Sequence, residues 1–193
     1  MIYIENKKKK LEKLRKKYPS AEIIDLTSKS ECEYVKFSPF YPIGNIPIPF
    51  SENNFGVSVE GIWQGLKVFE STGVDSSKFR ISDMKNIKRT IRLNGKILGH
   101  QQGLYSSEIL DYGTARKQIF IKCYNWVLAN KLNDLYQTLL EKASSKDLVF
   151  LDYNTNENIN DLSKPLSHAS LVKKSLAEKT RLYATPLQGS FEF

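Results

Sequence analysis

The segment SVEGIWQGLKVF, residues 58–69, decides how we interpret the rest of the chain. Ser58 is a residue type that caps helices, and the apolar residues after it recur at helical spacing, so we predict that the rest of the segment is a helix. At 100° per residue, Glu60, Gln64 and Lys67 lie on one face, opposite the apolar stripe. Such a polar row is either an ordinary solvated face or one wall of a binding site.

Two glycines in this segment argue against a plain solvated face. Gly61 and Gly65 each cost a helix about 1 kcal/mol relative to alanine, and a surface helix gains nothing in return. Glycines four residues apart allow a second backbone or a ligand to approach closely. Trp63, next to the polar face, offers a surface on which a nucleotide base can stack. The segment therefore predicts either close packing of another backbone or a ligand site.

The remaining elements predict an α+β fold, a compact and mainly helical domain with a small sheet. Ala21–Leu26 and Leu148–Tyr153 are short apolar runs typical of buried strands, and the weak alternation over Glu33–Phe37 suggests another strand. The predicted helices, besides the one after Ser58, cover residues 6–17, 82–93, 107–121, 123–143 and 166–177. Because strands and helices do not alternate regularly, we expect an α+β arrangement.

The segment between residues 38 and 56 is apolar but cannot form a regular helix or a central strand. It contains Pro39, Pro42, Pro47 and Pro49, which remove backbone donors. Its aromatic residues must nevertheless be buried against something. We therefore expect the segment to wall a pocket or to cover the core, and we take Tyr41 as a candidate for stacking on a base.

Two further places in the chain carry candidate ligand contacts. The sequence GKILGH, residues 95–100, brings Lys96 and His100 into a glycine-flanked turn that suits a phosphate, although the Walker ending is absent. Tyr112 and Arg116 are four residues apart and share a helix face, where an arginine beside an aromatic ring can clamp a phosphate or stack on a base.

A polar loop after the strand at 148–153 is the last candidate region. Asp152, Asp161 and His168 lie at its start, middle and end. Polar loops that follow buried strands are common places for site residues. The spacing of its acidic residues does not match a calcium-binding EF-hand loop.

Composition narrows the class of protein. The 193 residues carry a net charge of +8, and the segment Lys7–Lys17 supplies eight of the positive charges, opposed there only by Glu12. A lysine-rich helix is usually a solvated face and less often a phosphate-binding one. The two cysteines lack the C-x-x-C spacing of a closed zinc site, and no apolar run is long enough for a membrane span. We expect a cytoplasmic protein without metal, with a basic helix over residues 1–19, one domain over 20–180 and a tail over 181–193.

The order of these motifs resembles the NADAR (YbiA-like) family over roughly residues 35–165. An aromatic segment comes first, and the GKILGH sequence and an aromatic-x3-Arg helix follow later. The most specific part is the pattern S-x-E-x-x-x-Q-x-x-K-x-F, formed by Ser58, Glu60, Gln64, Lys67 and Phe69. Members of that family are associated with NAD and ADP-ribose metabolism, and they act as N-glycosidases on ribose–nitrogen bonds in riboflavin-pathway intermediates and in ADP-ribosylated guanine.

The resemblance implies an NADAR-like fold and roles for individual residues. Glu60 and Lys67 occupy the positions of the family's glutamate and lysine. His100 stands where the family usually has arginine, and Tyr112 stands where it usually has tryptophan. The family's late Asp-x-x-Trp-Gly element is absent from this chain, and Asp161 is the nearest acidic candidate.

Together these features predict an N-glycosidase-like hydrolase that acts on an ADP-ribosyl or related nucleotide, without a cofactor. We expect Glu60 to be the carboxylate beside the ribose, with Asp161 or Asp152 as a second acid or base. The residues expected to contact the substrate are Tyr41, Trp63, Gln64, Lys67, Lys96, His100, Tyr112, Arg116 and His168. Two alternatives stay open: a non-catalytic module that sequesters an NAD-derived nucleotide, and a nucleic-acid accessory protein that uses the basic helix.

Overall fold

The computed structural model describes residues 1–184, with side chains described as far as Lys179. The strands are β1 Ile2–Asn6, β2 Glu22–Asp25, β3 Ile46–Pro47, β4 Phe55–Gly56, β5 Lys67–Phe69, β6 Ile97–Gln101, β7 Ile109–Leu110 and β8 Leu148–Asp152. The helices are α1 Leu11–Lys17, α2 Val59–Gly65, α3 Ile91–Asn94, α4 Tyr112–Ala115, α5 Lys122–Asn130, α6 Asn133–Ser145 and α7 His168–Ala184. This is an α+β fold, as the sequence predicts.

The main sheet has three parallel strands in the order β1–β8–β2. The central strand β8 has all five of its residues buried, which is what a strand covered on both faces requires. Val149 and Leu151 pack with Leu14 of α1 on one face, whereas Leu148 and Phe150 belong to the main core on the other. Because the strands are parallel, the carboxyl ends of β2 and β8 meet at one edge of the sheet.

Helix α2 lies outside this sheet and packs against a short 3₁₀ helix, Ser76–Arg80. A Cβ atom added at Gly61 would lie 2.6 Å from the carbonyl oxygen of Lys78, and one added at Gly65 would lie 2.2 Å from the ring of Phe79. The two glycines therefore serve close packing of a neighbouring backbone and ring. At these two positions the close approach is therefore made by protein atoms.

Several predicted elements differ in the structure. Glu33–Phe37 forms a 3₁₀ helix instead of a strand, and the helix expected over 82–93 is reduced to α3. Helix α2 ends at Gly65, and Lys67–Phe69 continues as strand β5, which pairs antiparallel with β6. Strand β5 depends on its pairing with β6, about 30 residues further along the chain, which local periodicity does not reveal.

The basic N-terminal segment is partly built into the main sheet, and some of its lysines are paired. Strand β1 pairs with β8, so residues 1–19 are joined to the main sheet and only Leu11–Lys17 is helical. Glu5 in β1 is buried and accepts hydrogen bonds from Lys9 and Lys17. Burial raises the pKa of Glu5, but the hydrogen bonds from Lys17, Lys9 and Tyr18 outweigh it and lower the pKa to about 2.

The predicted tail, residues 181–193, begins within α7, and its last nine residues lie outside the described part of the chain. No helix of the described part is long and apolar enough to cross a membrane.

Candidate functional site

A cavity of about 480 Å³ opens at the carboxyl ends of β2 and β8, within the size range of small-molecule sites. Strand ends, the proline-rich segment, α2 and the helical segment after α4 all contribute to its wall. The lining residues are Thr27, Ser28, Ser38, Pro39, Phe40, Glu60, Trp63, Gln64, Lys67, Lys88, Arg89, Tyr112, Arg116, Phe120, Asp152, Tyr153, Asn154, Pro165, Leu166 and His168. The proline-rich segment is thus part of a pocket wall.

The polar face of α2 forms a hydrogen-bonded row on this wall. Ser58 caps the helix by accepting a hydrogen bond from the backbone N–H of Gly61. Gln64 Nε2 donates to Glu60 Oε1 at 2.9 Å, and Lys67 Nζ donates to Gln64 Oε1 at 3.2 Å. The structure therefore brings together the three side chains that the sequence placed on one face.

Burial sets the ionisation of both ends of this row. Desolvation raises the pKa of Glu60, and the hydrogen bond from Gln64 and the positive charges of Lys88, Lys67 and His168 oppose this only in part. Desolvation lowers the pKa of Lys67, opposed by the charge of Glu60. Perturbed groups of this kind concentrate at functional sites, because catalysis needs acids, bases and nucleophiles that titrate near neutral pH.

Arg89, which sequence analysis missed, holds this row in place. Its backbone N–H donates to Gln64 Oε1 at 3.0 Å, and its guanidinium Nη1 donates to the carbonyl oxygen of Lys67 at 2.6 Å. Its Nη2 donates to Thr72 and to Gly73. With two donors on its oxygen, the amide of Gln64 must turn its NH₂ group towards Glu60. Oε2 of Glu60 makes no hydrogen bond to the described residues and remains available to a ligand.

The helix that carries Tyr112 and Arg116 runs without interruption from α4 into α5 through a π-helical segment, Arg116–Ile121. Hydrogen bonds in the π segment run from residue i to i+5. Tyr112, Arg116 and Phe120, which follow one another at four-residue spacing along this continuous helix, all line the cavity. Tyr112 and Phe120 both meet Trp63 edge to face, with ring centroids 5.9 and 5.8 Å apart.

Arg116 lies in the cavity wall, but both terminal nitrogens of its guanidinium are already hydrogen-bonded. Nη1 donates to the carbonyl oxygens of Ile159 and Asp161, and Nη2 donates to the carbonyl oxygen of Lys164 and to the hydroxyl of Tyr112, all at 2.7–3.0 Å. The residue is only 2% exposed. Arg116 thus ties the polar loop to the π-helical segment. The expectation that it neutralises a substrate phosphate is not supported by this arrangement.

Asp152 and His168 form a buried pair at the strand edge. His168 Nδ1 lies 3.0 Å from Asp152 Oδ2, and Nε2 lies 2.9 Å from the carbonyl oxygen of Leu26. Because a carboxylate and a carbonyl oxygen are both acceptors, this arrangement favours the doubly protonated imidazolium form of the ring. Burial alone would lower the pKa of His168, but the charge and hydrogen bond of Asp152 raise it above the usual value.

Asp152 is held equally firmly. It also accepts hydrogen bonds from Ser167 Oγ at 2.7 Å, from the N–H of Ala169 at 3.3 Å, and from the N–H of Tyr153. Burial raises its pKa, yet the charge and hydrogen bond of His168, with the other hydrogen bonds, leave it below the usual value. A carboxylate that is ionised and fully bonded is a poor proton donor, so this environment opposes the role of second acid or base.

Four predicted site residues do not reach the cavity. Asp161 accepts hydrogen bonds from the N–H and hydroxyl of Ser163, two residues away. These bonds lower the pKa of Asp161, and the slight burial of the side chain does not reverse this. Lys96 is exposed, on the turn before β6, and Tyr41 is half-buried beside the cavity wall without lining it. His100 is buried behind Trp63, with ring centroids 3.7 Å apart, and supports the indole from the side away from the ligand space.

The environment of His100 also argues against a role in acid–base catalysis. Neither of its ring nitrogens has a hydrogen-bond partner among the described residues. Desolvation, reinforced by the charge of Lys67, lowers the pKa of His100 to about 3. The ring is therefore neutral and acts as an apolar support.

Lys88, Phe40 and the strand-end residues Thr27 and Ser28 were also missed as site residues. Lys88 Nζ lies 5.4 Å from the ring centroid of Phe40, at the exposed side of the cavity. The helix predicted over residues 82–93 gave no reason to select Lys88 and Arg89 as site residues. The stretch from 84 to 98 contains no acidic residue, and this excess of positive charge could have indicated a site for an anion. The strand ending at Leu26 was another, since ligands often bind outside the carboxyl ends of parallel strands.

Comparison with known proteins adds family membership to this geometry. No curated protein matches the chain. The model of a family of unknown function, DUF6939, matches residues 6–172 and so includes every lining residue of the cavity. The chain belongs to this family.

Proposed function

We propose that the protein is an N-glycosidase-like hydrolase that binds a nucleotide, of the ADP-ribosyl or a related type, in this cavity and hydrolyses its ribose–nitrogen bond. The observation that carries the proposal is Glu60: a buried carboxyl on the cavity wall, oriented through one oxygen by Gln64 and open to a ligand through the other. The resemblance of the segment around it to the NADAR family supports the same assignment.

Glu60 supplies the charge that this reaction needs. Cleavage of an N-glycosidic bond passes through an oxocarbenium-like transition state, in which positive charge develops on the ribose. A preorganised carboxylate in a desolvated site stabilises that charge far more than it would in water. The same carboxylate can orient the attacking water. Among the described lining residues the other carboxylate, Asp152, is committed to His168, so the proposed chemistry relies on Glu60.

Other lining residues match the remaining parts of a nucleotide. Lys67 and Lys88 are the lysines of the wall, and they would neutralise phosphate in the role first expected of Arg116. Trp63, backed by His100 and flanked by Tyr112 and Phe120, offers a rigid aromatic surface for a base.

The test is release of ADP-ribose from ADP-ribosylated guanine, and of free base from ribosylated flavin precursors, by wild type and Glu60→Gln. We expect Glu60→Gln to lower kcat by at least 100-fold, in line with the loss of one charge-stabilising group. The exposed Glu52→Gln is the matched control and should retain wild-type activity. If Glu60→Gln and wild type have equal activity and equal thermal stability, Glu60 is not the carboxylate that stabilises the transition state.

A binding module remains the second candidate, and one observation favours it: the second carboxylate of the cavity is consumed by an ion pair. In that case a nucleotide raises the melting temperature, by mass action, and is recovered intact after long incubation. Release of base during the same incubation excludes this candidate.

A further inference from the structure

Lys67 is a buried cation of the cavity wall to which the proposed hydrolysis gives only the neutralisation of phosphate. It lies on β5 directly after α2, and the whole residue is only 9% exposed although its amine lines the cavity. Its side-chain amine makes one hydrogen bond, to Gln64 Oε1, and no carboxylate of the described residues forms an ion pair with it. Buried lysines are normally paired with a carboxylate. Since Lys67 has no such partner among the described residues, its amine is available for chemistry.

The surroundings of Lys67 favour an uncharged amine. Desolvation lowers its pKa, the charges of Arg89 and Lys88 lower it further, and only Glu60 opposes them. Trp63 lies beside it, with the ring centroid 5.9 Å from Nζ, and His100, its partner in the β5–β6 pairing, is neutral. A desolvated lysine next to other cations is the environment in which lysines react with carbonyl groups.

We infer that Lys67 is a nucleophile that forms an imine with the aldehyde carbon of a ring-opened sugar phosphate held in the cavity. The inference rests on the proposed function for the choice of sugar, since N-glycoside cleavage yields a reducing ribose. It assigns Lys67 a covalent role in place of phosphate neutralisation, which then falls to Lys88.

The step balances without a further reagent. The lone pair of Nζ attacks C1 of the open-chain aldehyde, and Glu60 carries one proton from the nitrogen to the former carbonyl oxygen, which gives a carbinolamine. Glu60 then takes the second proton from the nitrogen and gives it to the hydroxyl, which leaves as water while the nitrogen lone pair forms the C=N bond. The product is an imine between Nζ and C1, and addition of water reverses the sequence, releasing the sugar and the free amine.

The test traps the imine by reduction. Full-length protein is incubated with ribose 5-phosphate and sodium cyanoborohydride near pH 7, and the adduct is located by peptide mass spectrometry. Hydride transfer to C1 converts an imine into a stable secondary amine. Because Lys67 lines the cavity that holds the sugar phosphate and its pKa is lowered by burial, we expect the adduct on Lys67 to exceed that on every other lysine.

Two variants complete the experiment. Lys67→Arg should abolish the dominant adduct, whereas the exposed Lys131→Arg should leave its yield unchanged. The mapping on the wild-type chain needs no variant, so it decides the inference even if Lys67→Arg does not fold. Modification spread evenly over exposed lysines, or a dominant adduct elsewhere, overturns it.

Failure of this inference is distinguishable from failure of the proposed function. The trapping reaction uses a free sugar phosphate and needs no glycosidase activity. A Lys67 adduct without base release from any nucleotide supports the imine and leaves the hydrolase without support. Base release that survives in Lys67→Arg, with no Lys67 adduct in the wild type, supports the hydrolase and overturns the imine.

Discussion

Replacing Asp152 by Asn tests the buried ion pair that closes the strand edge of the cavity. The substitution keeps the size and most hydrogen-bonding capacity of the side chain but removes the charge opposite His168, whose Nδ1 lies 3.0 Å from Asp152 Oδ2. Removing one partner of a buried ion pair costs about 3–5 kcal/mol. Since His168 can lose its proton and accept a hydrogen bond from the new amide, we expect the low end, about 3 kcal/mol at pH 6.

The pH dependence gives the sharper signature. The raised pKa of His168 contributes stability that is complete below about pH 6.5 and is lost as the pH rises through the higher value of the folded state. The lowered pKa of Asp152 contributes stability that is present above about pH 3.8 and is lost as the pH falls through its folded-state value. The pair therefore contributes fully between about pH 4 and 6.5.

The assay is urea denaturation of wild type and Asp152→Asn at pH 6, 7, 8 and 9. Wild-type stability should contain a component that declines with pH, by at most about 1.4 kcal/mol per unit for one proton. The variant should lack this component, so that the two proteins converge at high pH. Glu157→Gln, which removes an exposed ion pair with Lys173, should cost less than about 1 kcal/mol. A variant within 1 kcal/mol of wild type at pH 6, with the same pH slope, would refute the argument.

Three further predictions concern the wall of the cavity. Gly65→Ala should lower stability by about 1–3 kcal/mol in urea melts, because its Cβ would meet the ring of Phe79 at 2.2 Å, whereas Gly73→Ala, with open space around it, should not. Arg116→Met should lower the free energy of unfolding by about 2–4 kcal/mol, because it leaves three loop carbonyls without their charged donor. Protease cleavage within residues 153–167 should increase in this variant. Unchanged cleavage would contradict the role of Arg116 in holding the loop. If hydrolysis needs the Glu60 carboxylate, activity should fall as the pH drops through its raised pKa, at a higher pH than for an ordinary glutamate, and Gln64→Leu should move this limb higher still.

Local periodicity determined the parts of this protein whose causes are local. The apolar run LVFLD predicts a strand buried on both faces, and β8 is one. Glu60 and Gln64 share a face of α2, as 100° per residue predicts, whereas Lys67 joins their hydrogen-bonded row from β5. The capping role of Ser58 is equally local, since its hydroxyl binds an N–H three residues away.

Tertiary structure alone decided what depends on residues far apart in the chain. The carbonyls that occupy Arg116 lie 43 to 48 residues away, so its spacing from Tyr112 could not distinguish a phosphate clamp from a tether. The paired glycines predicted a close approach, but only packing against Ser76–Arg80 showed that the neighbour is backbone and a ring. His168 meets the carbonyl of Leu26 across 142 residues, which turns a candidate ligand contact into a fixed imidazolium. A side chain's type and spacing state what it can bond, and the fold determines which of those bonds are already made.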